Sequence, residues 1–212
     1  MLSYEESLKI LRETNALLEG HFVLSSGLHS EKYVQCAQLL SKPDKASLIC
    51  QSLAQKINKE FKNIDLILSP AIGGIVIGYE IGRLLNKETI FSERMDNDFI
   101  LRRGFKILKN TKVLILEDVI TTGKSSLECS KLVKDANASV VGYACIIDRS
   151  DDKSMIREKI VSQIKLKIPT YNKKDLPKHL TQLNQLNLVA EVFNVEKKVR
   201  CKHRSCCNSK KR

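Results

Sequence analysis

The residues best equipped for chemistry lie in one short stretch, Val113–Ser126, which reads VLILEDVITTGKSS. An apolar run delivers two adjacent acids, Glu117 and Asp118. Val119 and Ile120 follow, and then Thr121, Thr122, Gly123, Lys124, Ser125 and Ser126 lead into a helical pattern. A Thr/Gly/Ser loop entering a helix offers backbone N–H groups, hydroxyls and the positive end of the helix dipole, which together bind phosphate. The two acids would repel that phosphate, so they need hydroxyl groups or a metal-bound partner instead. Acid pair, short spacer and phosphate loop describe a sugar phosphate, with its diol at one end and its phosphate at the other. The plainer reading, a solvated pair of loop acids, fits poorly with a position that closes a buried-type strand.

Two other phosphate motifs fail on counting. Gly123-Lys124-Ser125 resembles the end of a Walker A loop, but that motif needs Gly five residues before Gly123, and position 118 is Asp. Gly73, Gly74 and Gly78 do not fit G-x-G-x-x-G, because position 75 is Ile.

The elements that must position this stretch can be read from apolar periodicity. Ile64–Leu68, Val113–Leu116 and Val140–Ile147 are short Val/Ile/Leu-rich runs, and the first two each precede a turn and a helical stretch. That pattern predicts an α/β fold with a parallel sheet covered by helices. Residues 3–19 predict an amphipathic helix with Leu8, Leu11 and Leu18 inward, and Pro43-Asp44 predicts the start of a helix running to about Lys59. Residues 20–36 predict a hairpin-like segment about a Ser-Gly turn, and residues 88–108 an excursion hairpin about Asp96-Asn97-Asp98. IKLKIPTY predicts a strand of a smaller second layer, followed by a short helix and a strand at Leu188–Phe193.

Bulk properties narrow the class. The chain has 212 residues, 42% hydrophobic and 28% charged, enough for one core. No apolar run approaches the ~20 residues that span a bilayer, and the first 20 residues lack a signal peptide's apolar centre. A cytoplasmic location without membrane association is expected. Cys36, Cys50, Cys129 and Cys145 sit in apolar surroundings without a CxxC pair and read as reduced core thiols. The net charge is +12; half of it comes from Arg200, Lys202, Arg204, Lys210, Lys211 and Arg212 in an acid-free tail read as disordered. The tail's Cys201, Cys206 and Cys207 lack regular zinc spacing. His21, His29 and His179 read as structural or surface residues. No helix-turn-helix or RNP-like segment is found, so no specific nucleic acid is expected.

LILEDVITTGKSS resembles the phosphoribosyl diphosphate (PRPP) motif of type I phosphoribosyltransferases. The likeness extends over roughly residues 15–180 to the orotate phosphoribosyltransferase family. GHFVLSSGLHSEKYVQC looks like its base-binding segment and ILSPAIGGIVIGYEIGRLL like its pyrophosphate loop and helix. FSERMDNDFILRRGF falls at its mobile catalytic loop, IIDR ends a strand at Arg149, and KIPTY resembles a late strand of its hood. The resemblance implies a type I phosphoribosyltransferase fold over residues 1–199. Its core would span about 43–150, a hood would come from about 15–36 and 160–195, and residues 200–212 would be a tail. It implies transfer of the phosphoribosyl group from PRPP to orotate, giving orotidine 5′-monophosphate and pyrophosphate for pyrimidine synthesis. Mg²⁺ would be held mainly by substrate and water, and the protein would be a homodimer.

Carried over by residue, Glu117 and Asp118 would face the ribose hydroxyls. Val119 and Ile120 would lie beside them, and Thr121, Thr122, Gly123, Lys124 and Ser125 would cradle the 5′-phosphate, with Thr121 also near orotate. Arg149 would pair with the orotate carboxylate, and Ala71, Ile72, Gly73 and Gly74 would hold pyrophosphate. The loop departs from the family's Lys- and His-bearing pattern: it carries Arg94, Arg102 and Arg103, with no Lys before Lys106 and no His. Arg94 is the candidate for covering the pyrophosphate; as a surface charge it would do nothing. A purine-specific enzyme and a PRPP-sensing regulator are the rival readings.

Overall fold

The computed structural model describes residues 1–24, 26–150, 154–182 and 185–187. In chain order the elements are α1 (Tyr4–Glu13), β1 (Leu17–Val23), β2 (His29–Val34), α2 (Cys36–Leu40), α3 (Pro43–Glu60), β3 (Leu66–Pro70), α4 (Gly73–Leu85), β4 (Glu88–Met95), β5 (Asp98–Leu101), β6 (Lys112–Ile120), α5 (Lys124–Asp135), β7 (Ser139–Asp148), β8 (Ile160–Lys165), β9 (Thr170–Tyr171), α6 (Lys178–Thr181) and β10 (Gln185–Asn187). They fall into two compact units. The larger holds Met1–Leu17 and Val34–Lys167; the smaller holds Leu18–Tyr33 and the described residues from Ile168 onward.

The larger unit is built on a six-stranded sheet of order β5-β4-β3-β6-β7-β8. All neighbours pair in parallel except β4 and β5, which form an antiparallel hairpin. The three apolar runs became β3, β6 and β7, as their composition predicts. β3 is buried along its whole length, because helices cover both faces of the sheet. Side chains alternate along β6: Val113 and Ile115 join the core cluster containing Cys129 and Val133 of α5, and the intervening Leu114 and Leu116 point to the opposite face. The chain leaves β3 toward β4 on one side and continues from β6 toward β7 on the other. The strand order therefore reverses between β3 and β6, which in open α/β sheets is where a ligand crevice forms.

Three expectations shift. The first helix stops at Glu13, short of residue 19: Asn15 takes a left-handed conformation (φ +58°), a common way to end a helix, and Leu17 and Leu18 enter β1. Leu11 is buried as expected, whereas Leu8 and Leu18 are half-buried. IKLKIPTY is divided: Ile164 and Lys165 belong to β8 of the large sheet, and only Thr170 and Tyr171 join the smaller one. The expected strand Leu188–Phe193 and the tail lie outside the described residues.

Among the described residues the smaller unit carries four paired strands in the order β10-β1-β2-β9. β1 and β2 are joined through the predicted Ser-Gly turn. The Leu24 N–H donates to the Leu28 carbonyl and the Gly27 N–H to the Leu24 carbonyl, each at 2.8 Å, with Gly27 at φ +78°. His21 and His29 are both buried, and Nε2 of the first lies 2.7 Å from Nδ1 of the second. His179 instead meets Glu31 at 3.1 Å on the surface.

Candidate active site

Parallel pairing brings the functional segments to one edge of the large sheet. β3 ends at Pro70 and runs into Ala71–Gly74; β6 ends in the acids and the Thr/Gly loop; β7 ends at Asp148, with Ile120 and Asp148 directly paired. The Arg149 N–H donates to the Ile120 carbonyl at 2.8 Å, and the Met155 N–H to the Thr122 carbonyl at 2.9 Å. Arg149 and the phosphate-type loop are thus immediate neighbours.

The loop closes a small cavity of about 120 Å³ lined by Glu117, Val119, Ile120, Thr121, Thr122, Gly123, Lys124 and Ser125. Gly123 caps α5 in a left-handed conformation (φ +78°), and a Cβ there would come within 2.6 Å of the Ile156 side chain. Glycine is required on both counts. The first turn of α5 leaves its leading amides without intrahelical acceptors, beside the hydroxyls of Thr121, Thr122 and Ser125. The side chains of Thr121, Thr122 and Lys124 are exposed.

The two acids lie on opposite faces of β6, as adjacent strand residues must. Glu117 lines this cavity and accepts a close hydrogen bond from Ser126 Oγ. Burial pushes its carboxyl up to about 7 against the opposing pull of Ser126, with Asp118 and Glu128 adding repulsion. Asp118 points toward the start of α4, where a Cβ on Gly73 would sit 2.8 Å from Asp118 Oδ1. Burial raises the Asp118 carboxyl too, while the Val119 N–H, 2.9 Å from Oδ1, draws it down. The acids therefore flank the crevice, one beside the phosphate loop and one beside Gly73.

The Glu117 shift has a stability consequence. A native carboxyl raised from its ordinary 4.5 to about 7 holds an extra proton in the native state between those values. Its contribution to stability is fully present below pH 4.5 and lost as pH rises to about 7. Urea midpoints of the wild type should fall across this window relative to Glu117→Gln. Parallel profiles for the two proteins would refute the shift.

Of the expected pyrophosphate residues, Ala71 is committed, since its N–H donates to the Ser92 carbonyl at 2.8 Å. Ile72 is the N-cap of α4 and places its side chain 86% exposed. Gly73 and Gly74 open the helix, and their amides have no acceptor within it. Val119 is likewise committed, through its N–H to Asp118.

Arg149 is half-buried, and its Nε is fully buried without a hydrogen-bond partner among the described residues. Burial lowers its guanidinium pKa. Asp148 does not neutralise it: Oδ1 of that acid accepts from the Ser150 N–H and hydroxyl, and Oδ2 lies 3.4 Å from Lys165 Nζ. A buried Nε–H without an acceptor among the described residues is costly unless a ligand atom completes it.

Arg94 lies on β4, in the predicted hairpin, which turns through Asp96 (φ +53°) and Asn97. It pairs with Glu128 Oε2 at 2.5 Å, and its guanidinium lies 4.1 Å over the Phe99 ring. Arg102 and Arg103 both return to Glu93. Ser126, Glu128 and Ile156 also reach the site. Ser126 lies in the quoted motif, Glu128 follows Lys124 by one turn of α5 and so was within reach of helical spacing, and Ile156 is brought there by packing alone.

A phosphoribosyl transferase domain family matches residues 38–177. Over 183 residues the chain is 43% identical to an orotate phosphoribosyltransferase of Parvibaculum lavamentivorans, covering 86% of this chain and 94% of that protein. The chain belongs to the orotate phosphoribosyltransferase family. A family member from Methylorubrum extorquens is 44% identical over 180 residues, covering 84% of this chain and 92% of its own length. The crystal structure of orotate phosphoribosyltransferase from Aeropyrum pernix aligns with a TM-score of 0.65 at 22% identity, over 75% of this chain and 93% of that one. An adenine phosphoribosyltransferase from Thermoanaerobacter pseudethanolicus aligns at 0.55 with 18% identity, over 64% and 88%. These two alignments establish a shared type I phosphoribosyltransferase fold.

Proposed function

We propose that the protein transfers the phosphoribosyl group of PRPP to orotate, producing orotidine 5′-monophosphate and pyrophosphate. The observation that carries this reading is the Nε of Arg149, buried without a partner among the described residues, on a residue whose backbone bonds Ile120 of the cavity wall. A sugar phosphate fills the cavity through Thr121–Ser125. Glu117 and Asp118 take the ribose hydroxyls from either side. The first amides of α4, at Gly73 and Gly74, receive the pyrophosphate. Arg149 supplies a guanidinium fork for the orotate carboxylate, which fixes the base against the anomeric carbon. Bond formation from orotate nitrogen and departure of pyrophosphate then proceed through an oxocarbenium-like transition state, and the chain's main contributions are orientation and charge stabilisation.

Among the described residues no three His, Cys, Asp or Glu side chains gather to hold a metal ion. Burial disfavours the ionised forms of Glu117 and Asp118, and a cation that shares its ligands with substrate oxygens would offset that cost. Mg²⁺ bound in this way would neutralise the departing pyrophosphate. Cys36, Cys50, Cys129 and Cys145 are free and buried, which suits a reducing, cytoplasmic setting. No described helix is long and apolar enough to cross a membrane.

The reading includes a homodimer. Val76 (53% exposed) and Tyr79 (69%) on α4 adjoin a cavity of about 450 Å³ lined also by Leu40, Pro43 and Ala46. Exposed apolar surface of this kind is typical of an interface between subunits. Light scattering of the purified protein should give twice the chain mass, and Tyr79→Glu should shift it toward the monomer; a wild-type monomer at micromolar concentration would end the dimer assignment. The catalytic reading is tested by assaying the protein with PRPP and each of orotate, uracil, hypoxanthine and adenine. Turnover restricted to orotate is expected. Turnover of a purine instead, or of no base, would overturn it.

A further inference from the structure

The β4–β5 hairpin is fastened to α5 at a point that the proposed chemistry does not use. Arg94 and Phe99 face each other across the hairpin, and Phe99 is buried in the core cluster that contains Cys129 and Val133 of α5. The Arg94 guanidinium covers the Phe99 ring at 4.1 Å and donates to the Asn97 carbonyl at 2.8 Å and to Glu128 Oε2 at 2.5 Å. The other Glu128 oxygen lies 3.9 Å from Nζ of Lys124, the first residue of α5 and part of the phosphate loop.

Glu128 is an acid one turn into the helix whose N-terminus faces the phosphate cavity. Left unpaired, its carboxylate would draw Lys124 back along the helix and repel an incoming phosphate. A guanidinium satisfies a carboxylate by charge-assisted hydrogen bonding more fully than a distant ammonium does. With Arg94 in place, Lys124 is held only at 3.9 Å and stays 73% exposed.

We propose that Arg94 is a positioning residue that acts through Glu128, neutralising that carboxylate so that Lys124 and the start of α5 are free to take the substrate 5′-phosphate. The proposal rests on the assignment of Thr121–Ser125 as the 5′-phosphate loop. It differs from direct contact between Arg94 and pyrophosphate, because the effect of losing Arg94 should vanish once Glu128 has lost its charge.

A double-mutant cycle tests it, with ribose 5-phosphate as the probe, binding read by calorimetry and melting temperature as the control. Arg94→Ala should weaken ribose 5-phosphate binding by about tenfold, equivalent to ~1.4 kcal/mol. Glu128→Gln alone should bind at least as tightly as the wild type, and Arg94→Ala/Glu128→Gln should return to within about twofold of Glu128→Gln. A double variant as weak as Arg94→Ala, or a Glu128→Gln variant weaker than the wild type, overturns the proposal. If Arg94→Ala does not fold, the Glu128→Gln result alone decides. A wild type that binds no ribose 5-phosphate instead removes the loop assignment itself, so the two failures are separable.

Discussion

Arg149→Ala is expected to lower kcat/KM for orotate by at least about thirtyfold while PRPP affinity, measured without orotate, changes by less than about threefold. Nε of Arg149 is buried without a partner among the described residues, and the neighbouring Asp148 is occupied by Ser150 and Lys165. A carboxylate arriving there would complete a desolvated charge pair. Losing one member of such a pair costs about 2–5 kcal/mol, or roughly 30- to 5,000-fold at ~1.4 kcal/mol per decade. The phosphate cavity survives the change, because the contact between Arg149 and Ile120 is made by backbone. Melting temperature should hold or rise, since removing an unsatisfied buried donor relieves its desolvation cost. Equal losses for both substrates, or a loss below threefold for orotate, would show that Arg149 does not read the base.

Asp118→Asn should cut kcat/KM for PRPP by about ten- to a hundredfold, the loss of one charge-assisted hydrogen bond worth ~1.5–3 kcal/mol. Asn is close to isosteric, so its side-chain oxygen still accepts from the Val119 N–H and the approach to Gly73 is preserved. Burial already disfavours the ionised Asp118, so the amide should leave stability unchanged or slightly higher. Near-normal kcat/KM in a stably folded variant would remove Asp118 from the ribose site.

The strand, loop and helix start around the two acids were legible in the sequence because their signal is local. The strand, both acids, the left-handed Gly123 and the helix start all fall within Val113–Ser126, and each has a residue type that its geometry requires. The place of Arg149 at the same sheet edge was legible for a related reason, as the residue just past the end of an apolar run, whereas its role came from the family resemblance alone. What escaped was non-local. Nothing in the spacing of Arg94 and Glu128 pairs them; parallel strand order and the burial of Phe99 do. Likewise, alternation shows that Ile164 and Lys165 lie in a strand but cannot say which sheet accepts it. Helical spacing runs past the true end of α1 because Leu18 continues it, although Asn15 carries the stop signal. The availability of individual amides, free at Gly73 and consumed at Ala71, depends on which carbonyl folds over them, and spacing does not encode that.

The register of the smaller sheet also orders events during synthesis. β1 pairs with β10, with His21 opposite Gln185, so the first strand of that sheet waits for the last. Every strand of the large sheet has been made once Lys165 emerges. At a translation rate of about 5–20 residues per second, β1 waits on the order of 10–30 s for its partner. Throughout that interval the edge of β1 that β10 will cover offers unpaired N–H and C=O groups, a template for pairing with other strands.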